Sequence, residues 1–227
     1  MGPLWRLSFR MGTQGSRLLV TSGRHLNIGL RGTALASTLL ISMLACVRDP
    51  LPSVCPQLAA GDLVVTEIRG AQTGSYREWI EIYNATDAPV PVAGLRITLT
   101  RLDGDGTQSF VVRDETLELA PGGYLVLGGG DPAEFDYIDY DYTPDLHSSS
   151  LYGGATLELK ACATVVDKLV YLGLPDEGTL AFGAVAPAAA DNDDTTVGWC
   201  TDDHISDGPQ TEIGLRGTPG AANPPCP

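Results

Sequence analysis

Few residues of this 227-residue chain have the types and spacing that chemistry requires. Asp103-Gly104-Asp105-Gly106-Thr107 sets alternate carboxylates on a glycine-bent loop, the way oxygen ligands converge on Ca²⁺, so Asp103 and Asp105 are the candidate metal ligands. The stretch has no third acidic ligand and no distal Glu, and Asp-Gly is equally a hairpin turn. A hydrolase needs an activated nucleophile or a metal. Beyond residue 45, however, the only histidines are His147 and His204, and no G-x-S-x-G, H-E-x-x-H or P-loop sequence occurs. Gly128-Gly129-Gly130 is followed by Asp131-Pro132, where a phosphate cradle would carry Lys and Ser or Thr, so it reads as a turn. No catalytic residue is assigned, and Ca²⁺ is the one cofactor left open. A carboxylate hydrolase would require two or more loop carboxylates converging with a histidine in one cleft.

Residues suited to binding are easier to find. Asp136 to Tyr142 alternates carboxylates with large side chains, and an extended backbone would place Tyr137, Tyr140 and Tyr142 as a strip for a protein or glycan partner. The competing reading is a loop whose tyrosines cover a sheet edge. Charge narrows the choice of partner. Five of the 14 basic residues lie before residue 46, leaving nine against 28 carboxylates and a net charge of −19 beyond Ala45. Nucleic-acid affinity rests on cations that displace phosphate counterions, so a DNA or RNA partner is not expected. Solubility outside the cell, or preference for a basic partner, fits the acidity better.

The first 45 residues differ from the rest. Arg6, Arg10, Arg17, Arg24 and Arg31 precede an uncharged stretch, Gly32 to Ala45, that is too short to span a membrane but suits the apolar region of a signal peptide. Met11 is an alternative start that leaves three arginines before that stretch. Met43-Leu44-Ala45-Cys46 resembles a bacterial lipobox, which implies cleavage before Cys46, its diacylglyceryl modification as the mature N-terminus, and an outer-membrane location for an exported protein; cleavage by an ordinary signal peptidase is the alternative. The count of cysteines points the same way. Without Cys46, an odd set becomes four: Cys55, Cys162, Cys200 and Cys226. These allow three pairings, of which Cys162–Cys200 with Cys55–Cys226 is preferred, because it ties down both flanks. No pair has the close spacing of a zinc site.

The elements that position these residues read as strands. Leu63–Ile68, Trp79–Tyr83, Leu95–Leu99, Gln108–Val112, Thr116–Leu119, Tyr124–Leu127, Thr156–Lys160 and Val165–Tyr171 are short, rich in β-branched or aromatic residues and bounded by Gly, Pro, Asn or Asp. In the second, Trp79, Glu81 and Tyr83 face one way and Ile80 and Ile82 the other. Strands at this spacing, with almost no helix, predict an all-β antiparallel β-sandwich of immunoglobulin-like type. Residues 46–60, with three prolines, read as a tether, residues 61–223 as the domain, and residues 128–150 and 173–210 as long loops.

Five ordered landmarks carry a family resemblance: Leu63–Ile68 with Glu78–Asn84 (EWIEIYN), Val92–Leu95, Leu119–Leu127 (LAPGGYLVL), Val166–Tyr171 (VDKLVY) and Gly217–Asn223 (GTPGAAN). Together they resemble the lamin tail domain, which implies an immunoglobulin-like sandwich attached to secreted enzymes or adhesive proteins, or standing alone on a lipoprotein. The resemblance marks Glu78, Trp79, Glu81, Tyr83, Asn84, Pro121, Gly122, Asp167, Tyr171, Gly217, Pro219, Gly220 and Asn223 as fold-defining. It implies a noncatalytic role in binding, adhesion or scaffolding.

Overall fold

A computed structural model of the chain describes residues 55–72, 77–146, 150–184, 186–205 and 214–227. The leader, Cys46 and His147 lie outside these residues. The strands are β1 (Leu63–Arg69), β2 (Trp79–Asn84), β3 (Val90–Pro91), β4 (Leu95–Arg101), β5 (Thr107–Val111), β6 (Glu118–Leu119), β7 (Tyr124–Gly128), β8 (Tyr140–Asp141), β9 (Ala155–Ala161), β10 (Thr164–Tyr171), β11 (Thr179–Phe182) and β12 (Trp199–Asp202). Two one-turn helices, α1 (Thr143–Leu146) and α2 (Ala189–Asn192), complete the described elements. Every expected strand is present. The one over Thr116–Leu119 shrinks to two residues, because Asp114 Oδ1 accepts from the Thr116 N–H and hydroxyl and bends its first half into a turn.

Two sheets face each other, as expected for an immunoglobulin-like sandwich. One runs β12-β11-β1-β2-β7-β8 and the other β10-β9-β4-β5, while β3 and β6 pair separately. All pairings are antiparallel except β7 with β8. Alternation then builds the core: Leu63, Val65, Ile80 and Ile82 from one sheet meet Leu95, Ile97, Leu157 and Leu169 from the other. Each such side chain contributes about 1.5–3 kcal/mol when fully buried, which is why period-two segments stack this way. The second face of β2 is also covered. Trp79 is fully buried outside the inter-sheet core, against Val126, Tyr137, Ile138 and Leu215.

Three expectations are corrected. Cys55 pairs with Cys162 and Cys200 with Cys226, instead of the preferred Cys162–Cys200 and Cys55–Cys226. Cys162 sits in the β9–β10 turn at the end where the chain joins the domain, whereas Cys200 lies on edge strand β12 beside the C-terminal segment. Next, the stretch taken as tether is part of the domain from Cys55 onward: Leu58 joins the core, and the Gly61 N–H donates to Val166 O at 2.8 Å. Finally, the segment 173–210 taken as a loop supplies β11 and β12, held in register from Thr179↔Asp202 to Phe182↔Trp199.

Candidate functional site

The site begins with an irregularity in β1. Its register with β2 shifts between Val65 and Glu67, and this bulge turns Thr66 and Glu67 together onto the outer face of the six-stranded sheet. Glu67 is thereby set directly opposite Glu81 of β2. Both carboxylates are fully buried. The C-terminal segment crosses above them and donates its backbone: the Thr218 N–H reaches Glu67 Oε1 at 3.2 Å, and the Gly220 N–H reaches Glu81 Oε2 at 2.7 Å. Thr66 Oγ1 donates to Glu81 Oε1 at 2.7 Å, and Thr179 Oγ1 donates to Glu67 Oε1.

Electrostatics follow from this enclosure. Burial pushes the Glu67 carboxyl up to about 7, further raised by Asp202 and opposed by the bonds from Thr179 and Thr218 and by the Arg69 charge. Burial and then the neighbouring Glu67 charge raise Glu81 well above the usual carboxylate range. Glu67 Oε2 is buried without a hydrogen-bond donor. Raised carboxylates often mark acid–base catalysis, so accessibility decides the reading. Here every bonded oxygen is engaged by a threonine or by the covering segment.

The same segment explains its own glycines. Gly217 has φ of +103°, and a Cβ there would lie 2.5 Å from Glu67 Oε1 and 2.7 Å from Thr179 Cγ2, so no other residue fits without displacement. Beyond Pro219, Asn223 Nδ2 donates to Thr66 O at 2.9 Å, and Thr218 Oγ1 donates to Asn223 Oδ1 at 2.6 Å. Arg69 lies 5.0 Å from the Trp79 ring centroid, and its Nη1 donates to Arg216 O at 2.8 Å. Three sequence landmarks, LVVTEI, EWIEIYN and GTPGAAN, are thus the two sides of one latch.

The remaining marked residues have local jobs. Asn84 Oδ1 accepts from Thr86 while its Nδ2 donates to Ala88, Leu119 and Ala120 carbonyls, and the Gly122 N–H returns to Asn84 O, which fixes the Pro121-Gly122 turn against the end of β2. Tyr83 packs on Tyr124 at 5.1 Å between ring centroids. Glu78, raised by burial to about 7, accepts from the Leu151 N–H at 3.2 Å. Asp167 crosses between the sheets, accepting from the Val65 N–H at 2.7 Å and from Asn192 Nδ2 at 2.8 Å. The Tyr171 hydroxyl donates to Tyr152 O at 2.7 Å from within the core.

The tyrosine strip is corrected. Tyr137 and Tyr142 are 9% and 2% exposed; Tyr137 packs edge-on to Trp79, and Tyr142 stacks on Phe110. Tyr140 Oη donates to Val111 O at 2.9 Å. Trp79 and Phe110 draw the rings inward because only there can such area leave water. Asp103 and Asp105 form the β4–β5 turn: Asp103 pairs with Arg101 at 3.0 Å and caps the Asp105 N–H at 2.9 Å. Among the described residues, no group of three His, Cys, Asp or Glu side chains gathers as a metal site.

Sequence reasoning missed Thr66, Glu67, Thr179, Thr218 and Asn192. The Thr-Glu dipeptide inside an otherwise aliphatic strand was the available signal for the first two. Asn192, fully buried in a run of alanines and acids, had none. Cavities of other character stand away from the latch. One, of about 620 Å³, is an apolar groove where the chain joins the domain, lined by Cys55, Pro56, Leu58, Val90, Pro91 and Ala93 among others. Another, of about 470 Å³, gathers Asp114, Glu115, Asp139 and Asp141 with Arg113 and Tyr140, and no histidine among the described residues. Glu67 and Glu81 line neither.

No curated protein and no solved structure matches the chain. The family model of the Lamin Tail Domain matches residues 56–196, more than half of the chain and most of the sandwich just described, and the chain therefore belongs to the lamin tail domain family.

Proposed function

We propose that this protein is an exported envelope lipoprotein, anchored through acylated Cys46, whose lamin tail domain is a noncatalytic module for binding, adhesion or scaffolding. The observation that carries the noncatalytic part is the commitment of Glu67 and Glu81, whose charges are the most perturbed of the outer sheet face, to hydrogen bonds with the C-terminal segment. A catalytic carboxylate has to reach substrate, and these two are sealed beneath the chain itself. Among the described residues no histidine lines the acidic cavity.

Export is supported by the two disulfides, which belong to an oxidising compartment. Among the described residues no helix is long and apolar enough to cross a membrane, so attachment in this reading rests on the lipid. The apolar groove beside Cys55 is the surface suited to a protein or glycan partner, because it sets exposed Ala88, Pro89 and Pro91 around a floor that includes Leu58 and Val90 in a concave setting. Cell fractionation of the Cys46→Ser variant tests the anchor. The variant is expected in the soluble exported fraction while the unaltered protein sediments with membranes; equal membrane retention of both would contradict the proposal.

A further inference from the structure

The outer face of the four-stranded sheet departs from the charge of the rest of the molecule. Its register aligns Arg96 of β4 with Lys160 of β9, and Glu158 of β9 with Lys168 of β10. The other outward positions of β4 and β9 are Thr98, Thr100 and Thr156, half-buried and uncharged. Three of the nine basic residues beyond Ala45 therefore share this face with two of the 28 carboxylates, Glu158 and Asp194, the latter bridged to outward Val170 at the β10 edge, leaving six cations and 26 carboxylates elsewhere. Lys160 and Lys168 are the only lysines in the chain. Both bind Glu158, at 2.5 and 3.0 Å, so one acid serves two cations, while Arg96 is exposed opposite Lys160. A like-charge cross-strand pair is destabilising, and in a chain so rich in carboxylates its presence points to an anionic partner outside the sheet.

The position of the face relative to the anchor selects that partner. Cys55 is bonded to Cys162, which sits in the β9–β10 turn two residues after Lys160 and three before Val165, the residue paired with Lys160. The chain is thus fastened beside the Arg96–Lys160 row. Cys46 lies nine residues earlier, a span of at most about 30 Å for extended chain. We infer that the outer face of β4, β9 and β10 is the membrane-facing surface of the anchored domain and docks on anionic lipid headgroups. This rests on the reading of Cys46 as the lipid site. Each cation brought to an anionic bilayer favours the docked orientation about five-fold, so the net excess of one over Glu158 and Asp194 gives roughly five-fold.

The test supplies the anchor chemically. Because the core and both disulfides lie within residues 55–226, the chain beginning at Cys46 is a complete folding unit, and its free Cys46 thiol can be coupled to a maleimide lipid in vesicles. Acetylation of Lys160 and Lys168, read by mass spectrometry, then reports on this face directly. Labelling of both is expected to fall about three-fold on vesicles containing phosphatidylglycerol relative to pure phosphatidylcholine, and to recover at high salt. The Arg96→Glu variant should lose most of that protection with its melting temperature unchanged. Equal labelling on the two vesicles would overturn the inference, as would protection by soluble polyphosphate with none on vesicles. Since coupling is artificial, the result is independent of whether the cell acylates Cys46, which fractionation decides separately.

Discussion

Replacing Glu67 by Gln should change the pH dependence of stability more than stability itself. In the unfolded chain this carboxyl has its ordinary value of 4.5, and in the fold it is pushed up to about 7. Below pH 4.5 it is protonated in both states and contributes no pH dependence. Between 4.5 and 7 the unfolded chain releases the proton while the folded one retains it, so stability falls as pH rises, by up to about 1.4 kcal/mol per pH unit. Above 7 the loss is complete, at about 3 kcal/mol for a group this buried. Glu81 shifts in the same direction and steepens the fall. The carboxylates with lowered values, Asp103, Asp114, Asp194 and Glu158, act below this window. Glutamine keeps the acceptor for Thr179 and Thr218 but places an NH₂ where Oε2 has no donor, at a pH-independent cost of about 1–3 kcal/mol. The two stability curves should therefore converge, with the variant less stable than the parent at pH 5 and close to it or above it at pH 8. Urea denaturation under nonreducing conditions at pH 5, 6, 7 and 8 measures both. A parental stability that is flat or rises over this range, or a Glu67→Gln curve running parallel to it, would refute the reasoning.

Other perturbations follow from the same contacts. Gly217→Ala should lower stability by about 2–4 kcal/mol, because it combines a positive φ with a Cβ pressed against Glu67 and Thr179; a shift in thermal midpoint of a few degrees or more is the check. Opening Cys55–Cys162, which closes 107 residues, should cost about 4–5 kcal/mol, against about 3–4 for the 26-residue Cys200–Cys226 link, so single Cys→Ser variants should unfold in that order in denaturant. Asn192→Ala removes the donor shared by Val65 O and Asp167 and should cost about 2–3 kcal/mol by calorimetry. Asp103→Ala with Asp105→Ala, on an exposed turn, should change stability by no more than about 0.5–1 kcal/mol and leave the melting temperature insensitive to added Ca²⁺.

What could be read in advance was set by periodicity. Ile80 and Ile82 alternate with Trp79 and Glu81, and the inward pair went to the core as period two requires. The family landmarks were legible because turns such as Pro121-Gly122 and Gly217–Gly220 demand particular backbone angles. Contacts between distant segments were not legible. Nothing local tells that Glu67 meets Thr218, 151 residues away, or that Cys55 meets Cys162, 107 residues away. The tyrosines of 137–142 misled for a related reason: alternation fixes which side chains share a face, but not whether another element covers it. Likewise β11 and β12 are four residues each in a Gly-, Ala- and Asp-rich stretch, and they exist because β1 offers an edge for them to pair with.

The anchor and the oxidised fold are tested together by the intact mass of the protein recovered from cell membranes without reducing agent. The account predicts a mature chain that starts at Cys46, carries a diacylglyceryl group on that residue, and is lighter than the fully reduced chain by the four hydrogens of two disulfides, with Cys55 joined to Cys162 on peptide mapping. A mature N-terminus elsewhere, an unmodified Cys46 thiol, or four free thiols among the remaining cysteines would contradict it.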